Sequence, residues 1–404
     1  MHARQQDVER SRAGTALPAL VALALFAACA LWIAAKMAFP STYDELQHLS
    51  VVEAQREAPQ LFADARDYRV LDARDPSRWS AKANYINHPS LYYLLMAPLR
   101  AATPSILALR LANVALALMA LAILLWAALP RLAPAARWPF AILAGAFPKA
   151  AVIAGMVNND NLAALAASMV FAGLVGAPGA AWWIAIGLAL AGWSKLTALI
   201  ALGAVAGVHL ILRMKAGPRS MGSRALVPIA IGAAIGALPY LVTWWHTGAL
   251  LYVNDAAFFV PPALRPLFHP ADFTSAFLRA LVMKWPAAES HLPFPLALAV
   301  LGLPLLLTAV AATRRDPARL VATAYLAGTA ILLVIHLWFA WSAYRRIGDL
   351  TIAQPRYYGV LWPGIALGAA AALGRTPRAV RVIALMLCLI PTVLGVVVLS
   401  GLGF

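Results

Sequence analysis

The chain has 404 residues, of which 63% are hydrophobic and only 12% charged, and its formal net charge is +16. That balance excludes a soluble globular domain. The positive charge does not indicate nucleic acid either, because the basic residues fall in short clusters between apolar segments rather than in one patch with interleaved aromatics.

Apolar stretches of about 20 residues, the length of a bilayer-crossing helix, recur from residue 16 to the C-terminus, and alternating ten-residue barrel strands are missing. The pattern predicts an all-α integral membrane protein of about 11 transmembrane helices, one polytopic domain over 1–404. Arg4, Arg10 and Arg12 precede the first segment, and further clusters are Arg131 with Arg137, Arg213 to Arg224, Arg314 to Arg319 and Arg375 to Arg381. Basic clusters in short loops mark the cytoplasmic side. Threaded that way, 16–39 runs outward, 105–130 inward, 138–157 outward and 161–177 inward. Residues 179–213 make two short spans turning near Trp193 to Thr197. Then 225–246 runs out, 293–312 in, 318–341 out, 357–374 in and 380–402 out. This puts the N-terminus in the cytoplasm and the C-terminus outside the plasma membrane, in a bacterial periplasm by composition. Cys29 and Cys388 lie inside apolar segments without metal spacing and are expected to pack as small hydrophobes; 16–39 is expected to be a retained anchor.

Two outer loops are long, 40–104, expected to carry interfacial helices, and 247–292; a shorter one covers 342–356. The chain has 16 acidic residues. Half of them, Asp44, Glu45, Glu53, Glu57, Asp64, Asp67, Asp72 and Asp75, fall in the first loop, so any chemistry is expected on the outer face.

A helix over 43–57 places Asp44 and Glu45 four and three residues before His48, able to share a face, with Tyr43, Leu46, Leu49 and Val52 resting on the bilayer. Asp44 as a plain helix cap, with Glu45 favouring the positive helix end, is the competing reading. His88 precedes Pro89 in "NYINHPSLYYLL" and gains interest only from what converges on it. In "VNNDNLAALA" Asp160 stands at the membrane boundary among Asn158, Asn159 and Asn161, more polarity than one cap requires, and ionisable groups at membrane depth are function candidates. Lys195 in "GWSKLTAL" either snorkels to headgroups or meets a lipid phosphate. Arg345, Arg346 and Arg356 stand outside against the positive-inside trend, and Arg356 can grip a phosphate bidentately. Outer histidines His48, His88, His246, His269 and His291 have no metal-ligand spacing. Tyr252, Asp255, Asp272, Lys284, Trp285 and Glu289 of the second long loop stay undifferentiated.

Taken in order, "YDELQH", "NHPSLYYLL", "NNDNLAAL", "KLTAL" and "QPRYYGVLWP" resemble the polytopic glycosyltransferases of the GT-C fold, in particular the bacterial branch related to protein O-mannosyltransferases. The likeness spans residues 43–363; the family's HPP element reads His88, Pro89, Ser90 here, and no large soluble C-terminal domain of the kind some members carry is visible. The resemblance implies a membrane glycosyltransferase moving a sugar from a polyprenyl-phosphate donor to a glycan, lipid or protein acceptor on the outer face. It implies Asp44 as catalytic base with Glu45 beside it and Asp160 as the second acid. His48, His88, Asn159, Lys195, Arg356 and Tyr357 would bind substrate, with no certain cofactor, room for a divalent metal, and no nucleic-acid partner. The competing readings are a transporter or lipid flippase, whose charges belong nearer the midplane, and a non-catalytic envelope scaffold.

Overall fold

A computed structural model describes residues 2–41, 43–146, 150–215, 225–252, 259–265, 268–283, 294–314, 318–348 and 354–399. The helices are α1 (His2–Lys36), α2 (Glu45–Glu57), α3 (Leu91–Ala102), α4 (Ile106–Ala128), α5 (Pro134–Gly145), α6 (Ala150–Ala154), α7 (Asp160–Leu174) and α8 (Ala180–Ser194). They continue with α9 (Leu196–Lys215), α10 (Leu226–Thr247), α11 (Pro270–Met283), α12 (Phe294–Thr313), α13 (Ala318–Ile347), α14 (Trp362–Leu373) and α15 (Arg378–Leu399). Among the described residues five helices combine the length and apolarity to cross a bilayer: α1 over Gly14–Lys36, α4 continued to Arg131, α9, α10 and α13; Asp160–Leu174, Ala180–Ser194 and Leu301–Thr313 are shorter apolar helices. The protein is an all-α, multi-pass membrane protein.

Three departures from the sequence reading bear on the site. The span expected over 138–157 is two helices, α5 and α6, separated by residues outside the described set. The helix expected from 357 begins only at Trp362; a 3₁₀ turn over Pro355–Leu361 precedes it, opened by Pro355, whose fixed φ suits the first turn. And 247–292 is not all loop: α11 buries Phe273, Phe277 and Leu281, spaced four apart on one face.

Between α1 and α4 the chain builds α2, an antiparallel hairpin of β1 (Arg69–Leu71) and β2 (Trp79–Ala83), and α3. The hairpin was not foreseen, because three residues on one arm give too short a pattern to read. Its presence corrects the expectation that α2 rests its apolar side on lipid. Leu46, Leu49 and Val52 are buried against Tyr68, Val70, Leu71, Tyr92 and Met96, in a core that reaches Leu109 of α4 and Leu162 and Leu165 of α7. Tyr43 packs instead with Ile33, Val152 and Met156. Ser50 stitches the layers: its hydroxyl donates to the Leu46 carbonyl at 2.6 Å and accepts from the Leu71 N–H at 2.9 Å. Asn84 donates to the Gln47 carbonyl at 3.0 Å and accepts from the Ile86 N–H at 3.0 Å. These bonds fix Tyr85 over the start of α2.

Deeper in the bundle α8 packs on α10 through glycines. A Cβ at Gly192 would lie 2.0 Å from the Gly236 carbonyl oxygen, so backbone meets backbone there. Small residues at such crossings replace the hydrophobic drive that lipid removes. The crossing sets where α8 ends, and hence where Lys195 stands.

Candidate functional site

Asp44 is the N-terminal flanking residue of α2 at φ 61°, ψ 20°, and its side chain makes no cap bond. A non-glycine residue in the left-handed region carries a cost of about 1–2 kcal/mol, though aspartate tolerates it better than most. The strained backbone turns the carboxylate away from its own helix. One oxygen accepts from the Tyr85 hydroxyl at 2.5 Å, the other from Nη2 of Arg356 at 2.5 Å. Burial by itself raises this carboxyl's pKa, but the Arg356 charge and the Tyr85 hydrogen bond outweigh it and hold the group below the ordinary aspartate value. Asp44 is therefore an ionised, hydrogen-bonded carboxylate, and the capping reading does not describe it.

Glu45 points elsewhere. Fully buried, it takes Nε and Nη2 of Arg110 bidentately at 2.7 Å each, and it also accepts the Val157 N–H at 3.2 Å and the Ser41 N–H at 3.2 Å. The rest of the Arg110 guanidinium caps the end of α1 through the carbonyls of Ala34, Met37 and Ala38. The adjacent acids thus separate: Asp44 faces Arg356, while Glu45 ties α1, α2, α4 and the turn before α7 together.

The asparagine-rich turn divides in the same way. Asn158 donates to the Tyr43 carbonyl at 3.1 Å, Asn159 to the Ser194 carbonyl at 2.9 Å, and Asn161 to Asn113 at 2.8 Å and the Ile153 carbonyl at 3.0 Å. Ser194 returns a bond to the Asn159 carbonyl at 3.0 Å. These side chains fasten the α7 start to its neighbours, while the largely buried Asp160 carboxylate turns to Lys195 instead. Asp160 is paired with Lys195, which is 4% exposed and sits in the extended break between α8 and α9. Lys195 does not snorkel: its ammonium lies over the Tyr357 ring at 5.3 Å.

Arg356 and Tyr357 reach this place from the 3₁₀ turn. Two acids and two bases from positions 44, 160, 195 and 356 therefore meet in one neutral, largely buried group. It is not saturated. Among the described residues the second Asp160 oxygen, Asn159 Oδ1 and Arg356 Nε are buried without a hydrogen-bond partner. Buried polar atoms in that condition mark where water or ligand belongs. Asp160 and Arg356 also line an otherwise mostly apolar cavity of about 90 Å³, walled in part by Phe26, Leu121, Leu124 and Val360.

His48 and His88 stack at 6.0 Å beside the cluster, and His48 Nδ1 is 2.9 Å from the Tyr93 hydroxyl. Burial pushes His48 down to about 3 in spite of Asp44 and Asp160 nearby, and it pushes His88 well below the ordinary histidine range, where Lys195 and Arg356 add to the effect. Both are neutral at physiological pH.

No family model matches the sequence, and no curated protein does. The crystal structure of ArnT from Cupriavidus metallidurans bound to undecaprenyl phosphate is similar in fold, with a TM-score of 0.52 at 14% identity over 90% of this chain. The chain has the GT-C membrane fold. It spans 62% of the length of that ArnT chain.

Within the GT-C fold all nine sequence-predicted residues lie in or beside one region. Asp44, Asp160, Lys195, Arg356, Tyr357, His48 and His88 converge, while Glu45 and Asn159 hold the elements that carry them. Asp255, Lys284, Trp285, Glu289 and His291 lie outside the described residues; Asp272 sits in the first turn of α11, and the Tyr252 carbonyl accepts from Asn87 at 2.6 Å. Among the described residues no three His, Cys, Asp or Glu side chains are grouped to hold a metal. Sequence reasoning missed Tyr85 and Arg110. Arg110 carried a readable signal, a single arginine inside an apolar helix. Tyr85 carried none, since only the hairpin brings it to Asp44.

Proposed function

We propose that the chain is a membrane glycosyltransferase that moves a sugar from a polyprenyl-phosphate donor to an acceptor hydroxyl, with Asp44 as general base. The observation that carries this is the Asp44–Arg356 and Asp160–Lys195 group bordering an apolar cavity within a GT-C fold. The fold neighbour's bound undecaprenyl phosphate supports a lipid phosphate as the ligand class.

The donor is an anionic phosphate on an apolar chain, and the site offers cations beside apolar wall. Arg356 and Lys195 bind the phosphate, and its first prenyl carbons pack against Leu121, Leu124 and Val360. Once phosphate competes for Arg356, that guanidinium holds Asp44 less strongly, and the carboxylate becomes more basic as the donor arrives. The acceptor oxygen then attacks the anomeric carbon and passes its proton to Asp44. The bond from that carbon to the phosphate oxygen breaks, its electron pair stays on the phosphate, and the cations stabilise the charge. Direct displacement inverts the anomeric centre. Asp160 holds Lys195 in place, Tyr85 orients Asp44, and Glu45 positions the start of α2. The basic clusters in the short loops support an orientation with this end of the bundle outside the plasma membrane and the N-terminus in the cytoplasm.

The test is transfer of radiolabel from a panel of polyprenyl-phosphate sugars into a membrane extract by purified wild type and Asp44→Asn. Transfer by wild type that Asp44→Asn loses while still binding donor supports the proposal. Flux of label across vesicles without transfer would turn the reading to transport.

A further inference from the structure

At the opposite end of the bundle lies a second cavity, of about 340 Å³, between the ends of α4, α7, α9 and α14 and the beginnings of α5 and α13. It is remote from the first site, since α7 begins at Asp160 and ends at Leu174, about 20 Å along the helix at 1.5 Å per residue. Its polar lining is basic throughout: Arg131, His209, Arg213 and Arg375, with no Asp or Glu among the lining residues. Leu174, Val321 and Leu367 supply apolar wall beside them.

Two of these groups show what the cavity lacks. His209 is 2% exposed, and among the described residues its Nδ1 has no partner. Arg131 donates to the carbonyls of Ala127 at 2.6 Å and Gly176 at 3.1 and 3.2 Å, using three of its five N–H groups on neutral acceptors. Helix ends need only one or two such caps, and a buried ring nitrogen on a helix caps nothing. Converging guanidinium groups match the oxygens of a phosphate, and basic pockets between membrane helices suit lipid head groups.

We propose that this cavity is a phosphate-binding site, separate from the Asp44 cluster, which takes either the head-group phosphate of an anionic lipid or free phosphate. Arg131, Arg213 and Arg375 grip the oxygens and His209 Nδ1 completes their coordination; in the lipid case the glycerol backbone lies along Leu174 and Val321. The inference does not depend on the glycosyl-transfer reading.

The full-length protein in detergent is tested by native mass spectrometry with phosphatidylglycerol against phosphatidylcholine, and by equilibrium dialysis with radiolabelled inorganic phosphate. Three variants are compared: Arg213→Gln, the exposed Arg375→Gln, and Ala371→Phe, which fills the cavity while leaving every arginine in place. Folding is checked by thermal melting, and Arg375→Gln decides if the buried variants do not fold. Selective retention of phosphatidylglycerol, reduced about tenfold in the variants as expected for one lost charge-assisted bond, supports the lipid source. Saturable binding of inorganic phosphate that falls about tenfold in the folded variants, without lipid retention, supports the free-phosphate source, whereas phosphate binding equal in wild type and all folded variants belongs to the Arg356 and Lys195 site and counts against this one. Equal phosphatidylglycerol retention by folded wild type and all folded variants, or binding of neither probe, overturns the proposal.

Discussion

Replacing Glu45 by Gln separates the two adjacent acids most sharply. The Arg110–Glu45 pair is buried, with side-chain exposures of 5% and 0%. The substitution removes the negative charge and turns one acceptor oxygen into an NH₂ group facing Arg110 Nη2. Breaking a buried pair from one side costs about 3–5 kcal/mol, because the surviving charge stays out of water without a counter-ion. The bonds from Ser41 N–H or Val157 N–H weaken as well, each worth about 1 kcal/mol net. Glu45→Gln is therefore expected to lower the apparent melting temperature in detergent markedly and to lose transfer in proportion to the folded fraction. Glu45→Gln combined with Arg110→Met should recover part of the stability, since no charge is then stranded, though the α1 carbonyls lose their cap. A Glu45→Gln protein that melts like wild type yet transfers no sugar would refute this reasoning and make Glu45 a catalytic group.

Asp44→Asn takes the carboxylate partner from the part-buried Arg356, so some fall in melting temperature is expected, and transfer by the folded protein should drop about 10²–10⁴-fold at little change in donor affinity, read as kcat against KM. Arg356→Lys keeps the charge but loses the planar fork, so donor binding should weaken about ten- to a hundredfold in a titration with labelled donor. His48, held at about 3 in the folded state against 6.5 ordinarily, contributes stability that is whole above pH 6.5 and is lost as pH falls toward 3. At pH 5 the loss is about 2 kcal/mol, so melting between pH 7.5 and 5 should be steeper in wild type than in His48→Gln. Gly192→Ala should destabilise by about 1–3 kcal/mol, because the added Cβ meets the Gly236 backbone and must separate α8 from α10. Detergent-resistant folding at wild-type temperature in that variant would contradict the close crossing.

Fold class was determined by the sequence alone, for a plain reason: in a bilayer the backbone must satisfy its own hydrogen bonds, so apolar runs of bilayer length become helices. Polarity at the expected segment ends, at Asp44, Asp160, Lys195 and Arg356, was likewise legible, because a charge there has no packing purpose. Only the tertiary structure decided how those charges are used. Asp44 and Glu45 are neighbours in the chain, but a left-handed backbone at Asp44 sends one to Arg356, 312 positions away, and leaves the other to Arg110. The asparagines around Asp160 looked equivalent in sequence, and packing spends three of them on holding helices. Tyr85 could not be foreseen, since its role comes from a hairpin too short to read and from Ser50 and Asn84 bonds between segments distant in sequence. Local pattern reports which residues are costly to place near a membrane; which partner offsets that cost is a property of the assembled bundle.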